Sequence, residues 1–187
     1  MLVRITSLIL ALFLSSCAHY TKKGDVRFYE SDGTLPFWSI FPAVPGHRME
    51  LPDISLAREA TQVIKIRGLP EPMFPTWSYL RIPQKEDSKY DFDQPWRYSV
   101  VRFTYRDLSG KTLARTTVDF SRDWNGNSSP GGRSKRQIGI SISPWDRFAS
   151  EEFPPVVDYD LVVEILVPSK RDSDFLRTFS FKPFKKK

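Results

Sequence analysis

The sequence predicts an all-β chain: an antiparallel two-sheet β-sandwich with one short crossover helix near residues 144–151. Three observations predict it. Apolar residues recur at every second position in seven stretches between Thr61 and Phe181, and turn residues separate those stretches. With one cysteine among 187 residues, the fold has no disulfide to lean on and must stand on its core. A period of two puts alternate side chains on opposite faces, so one face is buried and the other wet.

The stretches come in this order. TQVIKIRG sets Gln62, Ile64 and Ile66 against Val63, Lys65 and Arg67. TWSYLRI sets Trp77, Tyr79 and Arg81 against Ser78, Leu80 and Ile82. YSVVRFTYRD alternates Val101, Phe103 and Tyr105 with Val100, Arg102, Thr104 and Arg106. Asp107-Leu108-Ser109-Gly110-Lys111 then joins it at hairpin distance to LARTTVDF, with Gly110 free to take a positive φ. In LARTTVDF the row is Ala114, Thr116, Val118 and Phe120. QIGISIS lines up Ile138, Ile140 and Ile142. YDLVVEILV lines up Tyr159, Leu161, Val163, Ile165 and Val167, and FLRTFSF lines up Phe175, Arg177, Phe179 and Phe181. Seven or eight such strands close into two packed sheets or a barrel. Loops of very unequal length favour the sandwich, immunoglobulin-like or jelly-roll-like.

The helix is expected from Ser143-Pro144-Trp145-Asp146: Ser at the N-cap, Pro at the first helical position and an acid at the third. Trp145, Phe148 and Ala149 share a face, and Pro154-Pro155 ends it. Trp145 reads as a core plug.

The N-terminal region has a different character. Met1 to Arg4 carries one positive charge, Ile5 to Leu14 is almost wholly apolar, and Ser15 and Ser16 are small. A charged start, an apolar centre and a small-residue exit are the parts of a secretory leader. The run is too short to cross a bilayer, which takes about 20 apolar residues. Leu14-Ser15-Ser16-Cys17 resembles the lipobox of bacterial lipoproteins. The resemblance implies cleavage between Ser16 and Cys17 and diacylglycerol on the Cys17 sulfur, with the new amino group often acylated too. One acyl chain holds a protein marginally, and two or more hold it stably. It also implies a place in the bacterial cell envelope. Ala18 after the cysteine, rather than Asp, implies the outer membrane, facing the periplasm, in the sorting scheme of enteric bacteria.

Three regions follow: a leader over 1–16, a lipid-anchored tether over 17–46, and a β-sandwich domain with a basic tail over 47–187. The first half of the tether, AHYTKKGDVRFYESDGT, is polar and charged and reads as a spacer. The second half, LPFWSIFPAVPG, crowds Phe37, Trp38 and Phe41 among prolines that exclude a helix. This aromatic arm either packs on the body or touches lipid headgroups or a partner. The mature chain, about 170 residues, is long enough to bury a core of its own.

Chemistry is sparse. The two histidines, His19 and His47, form no metal-ligand spacing, and no cation loop is present, so neither a metal nor a cofactor is expected. No serine has a histidine and an acid at hand in the sequence, and no catalytic residue is named. Glu86, Asp87, Asp91 and Asp93 crowd one loop beside Tyr90, Phe92 and Trp96, which fits a solvated loop, a calcium or sugar site, or an acid pair acting on glycan. Asn125 to Arg136 is long for a strand connection and ends in Arg133, Lys135 and Arg136, without a phosphate-loop ending. It is either a harmless flap or a binding loop.

Net charge is +6, and loss of the leader with Arg4, its one charged residue, leaves +5. The tail Lys182 to Lys187 concentrates it and acts either as a solubiliser or on an anionic membrane. Nucleic acid is not expected as a partner of an exported lipoprotein. The sequence thus predicts a non-enzymatic lipoprotein. Its partners would be the bilayer, through Cys17, and a protein or other component of the envelope. One concrete version sequesters a toxin delivered into the periplasm, as an immunity protein does; an envelope assembly factor and a glycan-binding or glycan-acting protein are the alternatives.

Overall fold

The computed structural model describes residues 20–31, 46–75, 77–82, 95–129, 136–142, 156–172 and 175–180. These residues form twelve strands in two antiparallel sheets, and among them the only helical element is a short 3-10 turn, Pro95–Tyr98. The crossover helix expected near 144–151 lies outside the described residues.

The smaller sheet runs in the order β5 (Ala60–Ile66), β11 (Tyr159–Val167), β7 (Val100–Arg106) and β8 (Thr112–Asp119). Here alternation does what was expected of it. Ile64 and Ile66, Val101, Phe103 and Tyr105, Ala114 and Val118, and Tyr159, Leu161, Val163 and Ile165 are all buried. Val167 breaks the row and is exposed, because the pairing with β7 slips between Ile165 and Val167. The β7–β8 connection is the expected hairpin. Gly110 has φ +86, and Asp107 Oδ1 accepts hydrogen bonds from Ser109 N, Ser109 Oγ and Lys111 N at 2.9, 2.6 and 2.9 Å. The hydroxyl of Ser109 does most to hold the Asp107 carboxyl below its ordinary range.

The larger sheet follows β1 (Tyr20–Lys23), β2 (Val26–Ser31), β3 (Gly46–Glu50), β12 (Phe175–Ser180), β6 (Trp77–Ile82), β10 (Arg136–Ser141) and β9 (Trp124–Ser129). The two-residue strand β4 (Ile54–Ser55) also pairs with β12. Buried side chains from both sheets belong to one apolar cluster: Val26, Phe28, Met49, Ile54, Ile140 and Leu176 from this sheet join the rows just named.

Two expectations change here. The polar stretch after Cys17 is not a spacer over its length: Tyr20–Ser31 is a β-hairpin with Val26 and Phe28 in the core. The folded body therefore includes Tyr20–Ser31, upstream of the His47 boundary that the sequence suggests. The physical reason is that Val26 and Phe28 sit at period two behind a Gly24-Asp25 turn, enough to build a strand in a polar setting. Among the described side chains of the last strand Leu176 is buried, while Phe175 and Arg177, on the row that the sequence lines up, are half-buried. Leu176 pairs with both Ile54 and Leu80, which fixes the face.

Three aromatic rings brace the segment that leaves β5. Phe74 packs edge-on to Tyr105 at 5.0 Å between centroids and tilted against Tyr159 at 4.8 Å, and all three are fully buried. The phenols donate to the carbonyls on either side of Phe74: Tyr159 Oη to Met73 O at 2.7 Å and Tyr105 Oη to Pro75 O at 3.1 Å. A buried tyrosine needs such a partner, and each bond contributes about 1 kcal/mol net. Burial pushes both hydroxyls well above their ordinary pKa.

Candidate functional site

Strand direction decides where the features of interest leave the fold. Tyr20 pairs with Tyr29, Ser31 with Gly46, and Ser180 with Met49. Because each neighbour is antiparallel, the start of β1, the end of β2, the start of β3 and the end of β12 lie at one end of the larger sheet. The chain from Cys17, the segment 32–45 and the tail after Ser180 all connect there. At the other end, Ile82 pairs with Arg136. The segments 83–94 and 130–135 connect at those paired residues. Counted along the ladder, the Ser31–Gly46 and Ile82–Arg136 pairs are nine residue steps apart, about 30 Å at strand rise. We refer to the end joined by the chain from Cys17 as the anchor end, after the attachment that the sequence leads one to expect there, and to the other as the far end.

Cys17, Ser16, Phe37, Trp38, Phe41, Arg133 and Lys135 lie outside the described residues, as do the acids Glu86 to Asp93, His19, Trp145 and the lysine tail. Arg136 is the first residue of β10, and His47 stands opposite Glu30 in β3. Among the described residues, no group of three or more His, Cys, Asp and Glu side chains could hold a metal ion, and no helix is long and apolar enough to cross a membrane.

The described anchor end presents a distinct surface. Tyr20 is 43% exposed, and its ring lies 5.6 Å from that of the half-buried Tyr29. Lys22 and Arg27, opposite each other in the register, are both exposed, and Lys23 is half-buried. The hairpin is held at its turn by the edge of the other sheet. Asp25 N donates to Lys65 O at 2.7 Å, Lys65 N donates to Asp25 Oδ2 at 2.8 Å, and Gly24 bridges Ile66. Gly24, at φ +70, cannot be replaced without collision, since a Cβ would stand 2.2 Å from Lys65 O.

A second polar cluster lies where the β3–β4 edge is interrupted. Arg177 of β12 reaches across that gap with Nε 2.8 Å and Nη2 3.1 Å from the two Asp53 oxygens, and Nη1 3.7 Å from Glu50 Oε1. The Asp53 hydrogen bond leads the causes that push the guanidinium above its ordinary pKa. Bidentate geometry of this kind fixes position, and here it joins a broken edge. Sequence reasoning missed this cluster because Asp53 and Arg177 are 124 residues apart.

No protein-family model, curated protein or solved structure matches the chain.

Proposed function

We propose that the protein is a lipid-anchored, periplasm-facing lipoprotein of the bacterial envelope, attached through Cys17, which binds a protein or another envelope component without catalysing a reaction. The observation that carries this reading is a division between the two ends of the larger sheet. The segment bearing the lipobox joins at the anchor end. The segment with Arg133, Lys135 and Arg136, and the acidic segment Glu86 to Asp93, join at the far end. A body tethered at one end meets its partner most readily with the other. A β-sandwich of the immunoglobulin-like or jelly-roll-like kind fits a core to which both sheets contribute. Sequestration of a periplasmic toxin is the concrete version of this reading, and outer-membrane attachment follows from Ala18.

The test is mild crosslinking of the acylated protein in its own envelope, followed by purification. A defined partner that is recovered with wild type and lost with Arg133→Glu/Lys135→Glu/Arg136→Glu supports the reading. Equal recovery with both, or no partner at all, contradicts it. An assembly factor held partly by its tail is the second reading, favoured by β12 running toward the anchor end. It predicts that deleting Lys185–Lys187 weakens vesicle binding, more so at low salt.

A further inference from the structure

Cys17 and Tyr20 are three residues apart, a reach of about 10 Å even when fully extended. A folded body that includes Tyr20 in its first described strand therefore cannot float free of a lipid on Cys17. The end of the hairpin that receives the chain from Cys17 carries the Tyr20–Tyr29 ring pair, and Tyr is a residue favoured at the headgroup level. Two residues up the strand stand Lys22 and Arg27, about 7 Å higher. That is within a screening length of an anionic surface. The hairpin Tyr20–Tyr29 has three cationic residues and one acid, and the acid, Asp25, is engaged with Lys65 at the opposite end of the strand. β12 runs down to the same end, and the seven residues after Ser180 include Lys182, Lys185, Lys186 and Lys187.

We infer that the body is seated upright on an anionic phospholipid bilayer. Tyr20 and Tyr29 lie at the headgroups, Lys22 and Arg27 face the surface charge, and the far end points away. This rests on the lipoprotein reading of Cys17. The orientation itself comes from strand direction and from the short reach between anchor and fold. The Asp107–Lys111 hairpin supplies the opposite pole: Arg106 pairs with Asp160, Tyr159 with Ile66, and Ile66 bridges Gly24, so that hairpin lies at the turn end of β1 and β2.

The experiment uses the full chain, acylated in bacteria and reconstituted in phosphatidylethanolamine–phosphatidylglycerol vesicles carrying a headgroup quencher. Cys17 is the sole cysteine and is consumed by its thioether. Thr21→Cys and Leu108→Cys, both at exposed positions, can thus each carry one fluorophore. Palmitate incorporation is measured on the same samples. Quenching several-fold stronger at residue 21 than at residue 108 supports the seated orientation. Equal or inverted quenching in protein that has incorporated palmitate overturns it and leaves the anchor intact. Absence of palmitate overturns the anchor reading, and the orientation falls with it. On a lipid-free chain, Lys22→Gln/Arg27→Gln should weaken binding to phosphatidylglycerol vesicles about 25-fold, at about fivefold per basic residue. Unchanged affinity contradicts a surface role for these two residues.

Discussion

Two of the described hairpins each carry a glycine and an aspartate in the turn and are held in opposite ways. In the β7–β8 hairpin, Asp107 bonds residues two and four positions later, and a Cβ on Gly110 would meet nothing within 4 Å. That turn is a local device and folds by its own chemistry. In the β1–β2 hairpin, Asp25 is fastened to Lys65, 40 residues away, while Gly24 bridges Ile66 and is pressed against the Lys65 carbonyl. That turn is a docking device. The lesson is that one residue pair, Gly with Asp, can close a loop in one place and join two sheets in another.

The same substitution in both turns breaks the comparison most sharply. Gly24→Ala should cost about 3 kcal/mol, from left-handed backbone strain together with loss of the paired bonds to Lys65. It should also release the Lys65 amide to rapid hydrogen exchange. Gly110→Ala should cost only about 1 kcal/mol, the backbone strain alone. Urea unfolding of the two variants measures the difference, and equal costs would erase the distinction.

The alkaline limb comes next. Burial holds Tyr105 and Tyr159 protonated beyond their ordinary range in the fold, whereas both ionise near pH 10 in the unfolded chain. The unfolded state therefore binds fewer protons as pH rises, and stability falls above about pH 10 by about 1.4 kcal/mol per pH unit for each phenol. Tyr105→Phe should halve that slope. It does so without touching either turn, which separates the shared core from the hairpins that rest on it.

Arg177→Ala tests the sheet that carries the docked hairpin. Its pairing with Asp53 is about one-third exposed, so solvent screening limits the loss to about 1 kcal/mol. The loss should register as faster exchange in β3 and β4, with β7 and β8 unchanged.

Much of the fold was legible because alternation reports a buried face directly. Ile64 and Ile66, Phe103 and Tyr105, and the row from Tyr159 to Ile165 needed nothing but period two. Gly110 needed only its distance between two strands. The N-terminal hairpin was harder to read, since Lys22, Lys23, Asp25 and Arg27 outnumber Val26 and Phe28, and what fixes it lies on Lys65. Leu176 was hidden by its aromatic neighbours: Phe175 looks more apolar, yet pairing with Ile54 and Leu80 turns Leu176 inward. The clamp of Tyr105 and Tyr159 on the carbonyls beside Phe74 joins segments 30 and 86 residues apart, and no local pattern encodes it. Of the proposed site, the sequence carries the residue types, Cys17 with its small neighbours and the basic and aromatic segments. It could not supply their distribution over two ends, which depends on strand order.

Attachment through Cys17 is the claim on which location and orientation both stand. Growth with labelled palmitate, comparing wild type with Cys17→Ala, tests it most directly. The account predicts label on the wild-type protein in the membrane fraction and none on the variant, which should keep its leader. A wild-type protein without label, or a Cys17→Ala variant that matures and fractionates like it, would contradict the account.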